Sequence, residues 1–553
     1  MPINVTDLYN RRETGLWNRV AIGDILERIT WRSPDKTAII GRPGAYASDD
    51  FAELTYQQAY QATNRIANGL LSQGLTRGDI VMMLCENSVE GWLIKLGIAR
   101  AGLVSAPVNT MMAPDVVGQL VDLVEPKAIV VDAASWPGVE AELSKRDLAP
   151  LVTIPIGGDV PQGSTTLTEF IADMPTSDPD VEIHGDDIWQ ILFTSGTTSS
   201  PKAVMISHSS SYFAALNFSN IHTRGLKRPS DLVLCAFLPL LYHIGDQPFN
   251  TAALLCGGTV VLGRSPRPES IAEAIAENGA TSLWSGSPAM LNEISLVLDA
   301  REDLDISSLT VAVYGWAALH PQVLAKLKGR AADGFQSVAI FGQTEAIACH
   351  TFWPDEWTDL YESTAPAINY VGTPTPLLAS TIVSPFGDLI TMSEEGPGEA
   401  VYRSPTVCSG YYRDEAATEE AFADGWFRSG DSCAIGEFGQ RIMVDRYKDI
   451  VKSGGENVST IRVESILQSH PGIERAAVVG LPHERWGEAV TALVLRRPGA
   501  DITEDDLITF AREKLAGFET PKSIVFVDSL PQTVGGKILK YKLRSQYSGL
   551  YTD

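Results

Sequence analysis

The sequence predicts an α/β protein with a large, multi-lobed N-terminal domain built on α/β sheets and a small α+β C-terminal domain. Three observations lead there. The chain has 553 residues, well beyond the size at which one hydrophobic core stops growing, so several lobes are required. From about residue 20 to 440, short apolar runs alternate with amphipathic stretches. Near residue 440 the texture changes, as Gly425, Gly430, Gly436, Gly439, Gly454 and Gly455 crowd a turn-rich span.

Individual elements follow from the same patterns. KAIVVDAA (127–134) and TSLWSG (281–286) read as strands, the second followed by a helical PAMLNEISLVL. SLTVAVYG (308–315), LHPQVLAKLK (319–328) and SVAIFG (337–342) form a βαβ unit, which puts turns after Val313 and after Ile340 at the carboxyl edge of a sheet, where ligands of open α/β sheets collect. Beyond the glycine-rich span, AAVVGL (476–481) and SIVFVDSL (523–530) are strands and EDDLITFAREKL (504–515) is a helix. No repeat period and no low-complexity tract interrupts the series.

Composition excludes several function classes. Hydrophobic residues make up 44% and charged residues 20%, and no run of 18 apolar residues lacks a charge, so no membrane span is expected. The N-terminus mixes charges where a secretory signal needs an apolar run, which predicts a cytoplasmic protein. Six scattered cysteines (Cys85, Cys235, Cys256, Cys349, Cys408, Cys433) form neither a disulfide framework nor a zinc pattern. With 43 basic against 68 acidic residues the net charge is −25. That disfavours nucleic acid and anionic membranes as partners, and it makes any anionic ligand depend on locally placed cations or a metal ion.

One segment concentrates phosphate-binding chemistry. Between the strand-like DIWQILF (187–193) and AVMISH (203–208), the nine residues Thr194 to Lys202 carry six hydroxyls, Gly196 and one lysine. Hydroxyls and free backbone N–H groups can bond several phosphate oxygens at once, and Lys202 adds a cation. The spacing is not that of a Walker loop. Taken by itself, such a loop reads more readily as a flexible surface turn than as a binding site.

The string FTSGTTSSPKAVMISH (193–208) resembles the signature of the adenylate-forming superfamily, which includes acyl- and aryl-coenzyme A synthetases, adenylation domains of peptide synthetases and beetle luciferases. Further motifs match in the family's order over roughly residues 40–544. The resemblance implies an ATP-dependent, AMP-forming enzyme that activates a carboxylic acid, most like an AMP-forming acyl-CoA synthetase. It assigns Thr194, Ser195, Gly196, Thr197, Thr198 and Lys202 to the phosphates of ATP. FGQTEA (341–346) matches an aromatic-Gly-x-Thr-Glu element, in which Thr344 contacts the α-phosphate and Glu345 holds Mg²⁺, with Phe341, Gly342 and Gln343 beside the nucleotide. VYGWAALHP (313–321) matches the adenine shelf through Gly315, Trp316 and Ala317. DGWFRSGD (424–431) puts Asp431 on the ribose, and in DRYKDIVKSGGENVS (445–459) Arg446 assists it while Lys448 is the hinge. These positions imply an N-terminal domain over 1–445 and a mobile C-terminal domain over 446–553. PQTVGGKILKYKLR (531–544) makes Lys537 the catalytic lysine.

Two further segments keep alternatives open. Gly454 and Gly455 either admit a thin pantetheine arm or simply form a tight turn between strands. LPLLYHIGDQPF (238–249) makes His243 the acyl-pocket candidate, although a lone histidine also fits a core role. The acyl pocket is completed by Trp316 and Gly342. The sequence departs from the family pattern at Ser199 and Ala203, at Ser429, and at Trp316 and Ala318, where the family has glycine, glycine, threonine, glycine and proline. An indole at 316 predicts a pocket reshaped for a compact, aromatic or short branched acid.

The implied partners are a small carboxylic acid, ATP, Mg²⁺ and coenzyme A, and a homodimer is compatible with the family. Coenzyme A is preferred because the chain ends soon after Lys537, leaving no room for a fused carrier. A separate carrier protein or an amine or other nitrogen nucleophile fits the same residues. A luciferase-like oxygenase would share the adenylation half. A nucleotide-sensing protein without turnover would be expected to have lost Glu345, Asp431 or Lys537, and all three are present.

Overall fold

The computed structural model describes residues 19–194, 202–239, 241, 247–384, 387–390, 396–532 and 538–551. The chain divides into two compact units, one comprising Met1–Ser282, Thr344–Ile347 and Pro405–Thr418, the other Leu283–Gln343, Ala348–Ser404 and Glu419–Asp553.

In the first unit a seven-stranded sheet runs in the order Thr165–Thr166, Val152–Ile154, Ala128–Asp132, Ile80–Leu84, Val104–Pro107, Ile188–Thr194, Lys202–Ser207. All neighbours are parallel except the last pair, which is antiparallel. Ile80–Leu84 and Ala128–Asp132 are buried at every position, as strands covered on both faces must be. The helix Val89–Arg100 is buried on all sides, which explains why its sequence shows no polar stripe. A second set of strands in this unit, Val233–Ala236, Thr259–Leu262 and Thr37–Gly41, is parallel, with Glu53–Thr55 antiparallel at its edge.

In the second unit the expected βαβ unit forms: Val311–Gly315 pairs in parallel with Gln336–Gln343 across the helix Pro321–Lys328. Both strands run on past the positions read from the sequence. The first turn follows Gly315 rather than Val313, because the parallel ladder stays in register through Gly315 and Ile340, and the second strand continues beyond that ladder, so its turn follows Gln343 rather than Ile340. An antiparallel run follows, in the order Leu389–Ile390, Ala379–Val383, Gly398–Arg403, Phe427–Ile435, Arg441–Arg446, Tyr370–Pro374.

From Val451 onward the chain builds a five-stranded sheet of its own. Strand alternation explains how helices cover it on both sides. Ala476 and Val478 on Ile473–His483 pack with Val463, Leu467 and Leu507 of the helices Thr460–Gln468 and Glu504–Arg512. Ala477, Val479 and Leu481 point the other way and pack with Leu543 of the helix Lys540–Gln546. Among the described residues no helix is long and apolar enough to cross a membrane, and Cys85, Cys235, Cys256, Cys408 and Cys433 are unbridged.

Candidate active site

The hydroxyl-rich loop springs from the antiparallel pair at the edge of the seven-stranded sheet. Thr194 faces Lys202 in register, and the Thr194 hydroxyl donates to the Lys202 carbonyl at 3.5 Å. Ser195, Gly196, Thr197, Thr198 and Ser199 lie outside the described residues. Ala203 has extended strand backbone and is 2% exposed, so the glycine usual there in the family is not needed for its conformation.

Residues 406–412 tie this loop base to the Thr344–Glu345 element. Met205 N donates to Gly410 O at 2.9 Å and Tyr412 N to Ala203 O at 2.8 Å. On the other side Cys408 N donates to Glu345 O at 2.7 Å and the Thr406 hydroxyl to Ile347 O at 2.8 Å. Between these zippers, the Tyr411 hydroxyl donates to Glu345 Oε1 at 3.1 Å. Lys202 Nζ lies 4.4 Å from the centre of the Tyr411 ring. Burial first, and the Glu345 charge second, push the Tyr411 phenol well above its ordinary range, so the hydroxyl remains a donor. Tyr411 is absent from the residues singled out by sequence, because a tyrosine in SGYYRD carries no spacing signal of its own. Its signal is the backbone pairing of 406–412 to both motifs.

Glu345 suits Mg²⁺ in one respect. Among the described residues no cluster of three His, Cys, Asp or Glu side chains could hold a metal by itself. Mg²⁺ is normally held by one or two carboxylates together with substrate phosphates rather than by an all-protein cage.

Three groups of candidate residues lie in the second unit. Gly315, Trp316 and Ala317 form a tight turn at the end of a strand. Ala317 N donates back to Gly315 O at 2.9 Å, and Trp316 at its centre has φ +69°. A bond spanning two residues around a positive φ is the strained hand of the γ-turn, and only glycine enters it freely. Trp316 is 39% exposed and meets Trp284 edge-on, with ring centres 6.0 Å apart. The Gly315 backbone abuts Ile340 O, 3.1 Å from where a Cβ would stand. Phe341, whose ring is 6.1 Å from that of His350, Gly342 and Gln343 close the adjacent strand. The buried Gln343 amide nitrogen has no partner among the described residues.

Asp431 and Arg446 are brought together by register. They stand directly opposite each other on adjacent antiparallel strands, with Arg446 Nε 3.3 Å from Asp431 Oδ1. Asp431 N donates to the Ser429 hydroxyl at 3.1 Å, and that hydroxyl donates to Ala400 O at 2.6 Å, so serine performs the local bonding at the family's threonine position. Lys448 is exposed in the turn that follows, where Asp449 N and Ile450 N both donate to Arg446 O at 2.8 and 3.1 Å.

Gly454 and Gly455 form the two-residue hairpin between Val451–Ser453 and Glu456–Val458, with φ +62° and +90°. Positive φ at both positions is the type I′ requirement. A Cβ on Gly454 would come within 3.0 Å of the Trp486 ring, whereas one on Gly455 would meet nothing within 4 Å.

Lys537 and His243 lie outside the described residues, but their flanks are held. Lys540 forms an ion pair with Glu464 at 2.8 Å and donates to the Thr460 hydroxyl, which in turn donates to Asp445 Oδ2 at 2.6 Å. Upstream of His243, Asn87 Nδ2 donates to Leu238 O at 2.8 Å, and the fully buried Lys95 donates to Leu241 O at 2.7 Å. A lysine inside the apolar run Trp92–Ile98 is a signal the sequence contained, but its partner is 146 residues away.

The chain is 31% identical over 537 residues to the long-chain-fatty-acid–CoA ligase FadD13 of Mycobacterium tuberculosis, covering 95% of this chain and 99% of that one. It is 30% identical to a feruloyl-CoA synthase of Amycolatopsis sp, covering 93% and 96%. The crystal structure of ATP-bound MatB from Rhodopseudomonas palustris superposes with a TM-score of 0.81 at 27% identity, covering 96% of this chain and 99% of that one. Residues 26–412 match the AMP-binding enzyme family and residues 462–537 its C-terminal domain; the chain belongs to the AMP-binding, adenylate-forming enzymes.

Proposed function

We propose that the chain is an AMP-forming acid–thiol ligase. It joins a small carboxylic acid to ATP to give acyl-AMP and pyrophosphate, then transfers the acyl group to coenzyme A. One observation carries the reading: residues 406–412 hold a loop cation, Lys202, and a metal-capable carboxylate, Glu345, on either side of one tyrosine. Phosphoryl chemistry on ATP needs such a pair, because charge builds on both the transferring and the leaving phosphates. The relatives are named for a fatty acid and a ferulic acid, and the thiol acceptor is common to both names.

In the first half-reaction a carboxylate oxygen forms a bond to the α-phosphorus and the bond to the bridging α–β oxygen breaks. Bound magnesium supplies positive charge to the pyrophosphate leaving group. The hydroxyls of residues 194–200 and Lys202 grip the phosphates, Thr344 contacts the α-phosphate and Lys537 bridges carboxylate and α-phosphate. Gly315, Trp316 and Ala317 with Phe341 form the adenine side, and Asp431 with Arg446 holds the ribose. His243, Trp316 and Gly342 line the acid.

In the second half-reaction the thiol sulfur attacks the acyl carbon, the acyl carbon–oxygen bond breaks and AMP leaves. A domain boundary at 445/446, with Lys448 as hinge, lets the C-terminal domain withdraw Lys537 and present Gly454 and Gly455 to the thiol arm. The deciding experiment is a panel of carboxylic acids screened for pyrophosphate release with coenzyme A supplied or omitted. The reading expects acid-dependent release without coenzyme A and a thioester product only with it. No acid-dependent release across the panel would overturn it, and amide formation with an added amine in place of thioester would reassign the acceptor.

A further inference from the structure

Lys202 and Glu345 carry opposite charges on neighbouring elements, yet among the described residues no ion pair joins them. Tyr411 stands between. Its ring face takes the ammonium, with Nζ 4.4 Å from the ring centre, and its hydroxyl takes one carboxylate oxygen at 3.1 Å. A direct ion pair would spend both charges on each other before any nucleotide arrived. A phenol is a neutral donor, so it orients the carboxylate without cancelling its charge, and it occupies one of the roughly four lone-pair directions of that group. The ring's quadrupole likewise holds an ammonium only weakly, which leaves Lys202 able to move onto phosphate.

The side chain is itself rigidly set. Tyr411 is 6% exposed, its N–H donates to the Thr418 hydroxyl at 3.0 Å, and it bridges Val204 in antiparallel fashion. Gly410, immediately before it, has φ +118°, and a Cβ there would meet Thr418 Cγ2 at 2.8 Å. The backbone at 410 thus presses against Thr418, the residue that holds the Tyr411 amide.

We propose that Tyr411 is a positioning residue for the adenylation half-reaction, a neutral spacer that orients Glu345 for the metal of MgATP and parks Lys202 while keeping the two from neutralising each other. This rests on the ligase reading given above.

Two substitutions separate the ring from the hydroxyl. Tyr411→Phe keeps the ring and the backbone pairing and removes the donor. Half-saturating Mg²⁺ for pyrophosphate release should rise ~10–100-fold, the worth of a hydrogen bond to a charged group. The rate at saturating Mg²⁺ should stay within about twofold of wild type. ATP binding in EDTA, measured by calorimetry, should be unchanged. Tyr411→Leu removes both features and lets Lys202 reach Glu345, so metal-free ATP binding should weaken as well, by ~3–10-fold. Thermal unfolding confirms that each variant is folded, and the isosteric Tyr411→Phe decides the matter alone if Tyr411→Leu is not. A wild-type Mg²⁺ dependence in Tyr411→Phe would overturn the proposal, as would equal effects of the two variants on metal-free binding. A wild-type enzyme showing no acid-dependent pyrophosphate release would instead defeat the ligase reading.

Discussion

Asp431 and Arg446 are in-register partners on adjacent antiparallel strands, 3.3 Å apart between Oδ1 and Nε, and the aspartate is 3% exposed. A buried carboxylate held in this way is poised to accept from a pair of hydroxyls. Asp431→Asn removes the charge and keeps the shape. Hydrogen bonds to charged groups contribute about 1.5–3 kcal/mol, so the dissociation constant for ATP, measured by calorimetry, should rise ~10–100-fold. Unchanged affinity would remove Asp431 from the nucleotide site.

Trp316 sits at a φ that favours glycine, so its replacements should not behave alike. Trp316→Gly relieves the turn, whereas Trp316→Ala keeps the strain and loses the same indole packing against Trp284. Chemical denaturation should find the glycine variant more stable than the alanine variant by about 1 kcal/mol. With the indole gone, longer acids should gain in kcat/KM relative to short ones. An unchanged length preference in Trp316→Gly would mean that the indole does not shape the pocket.

Gly455 separates a turn role from a thiol role. Gly455→Ala meets no atom within 4 Å but must hold φ +90°, which should cost about 1 kcal/mol of stability. If the hairpin also admits the thiol arm, thioester formation from supplied acyl-adenylate should slow while acid-dependent pyrophosphate release persists. Equal slowing of both half-reactions would leave the hairpin a structural turn only.

His350 and His208 make stability depend on pH. Burial drives His350 down to about 3 and His208 down to about 4, and neither His350 ring nitrogen has a partner among the described residues. Both rings are therefore neutral in the folded state, while in the unfolded chain each takes up a proton near its ordinary value of about 6.5. The unfolded state binds more protons below that value, so stability falls as pH drops from about 6.5 toward 4 and 3. Each ring should account for a loss of about 2 kcal/mol between pH 7 and pH 5. His350→Leu should flatten the profile by that amount, as followed by denaturant midpoints at the two pH values.

The alternation of buried strands with helices, the glycine-rich change of texture and the order of the motifs are local properties, and the sequence alone determined them. Periodicity is written in neighbouring residues, which is why Val311–Gly315, Pro321–Lys328 and Gln336–Gln343 were legible to within a few positions. Family membership was legible for a similar reason, since Lys202, Glu345, Asp431 and Arg446 each stand inside a contiguous string. Pairings across long separations were not. The alignment of Asp431 with Arg446 depends on strand register. The strained backbone at Trp316 depends on where a parallel ladder ends. Tyr411 acquires its place between Lys202 and Glu345 only because residues 406–412 hydrogen-bond on one side to the strand Lys202–Ser207 and on the other to 345–347. Backbone hydrogen bonding pairs segments without regard to their distance along the chain, and that pairing, decided in the tertiary structure, turned an ordinary tyrosine into the link between the two motifs.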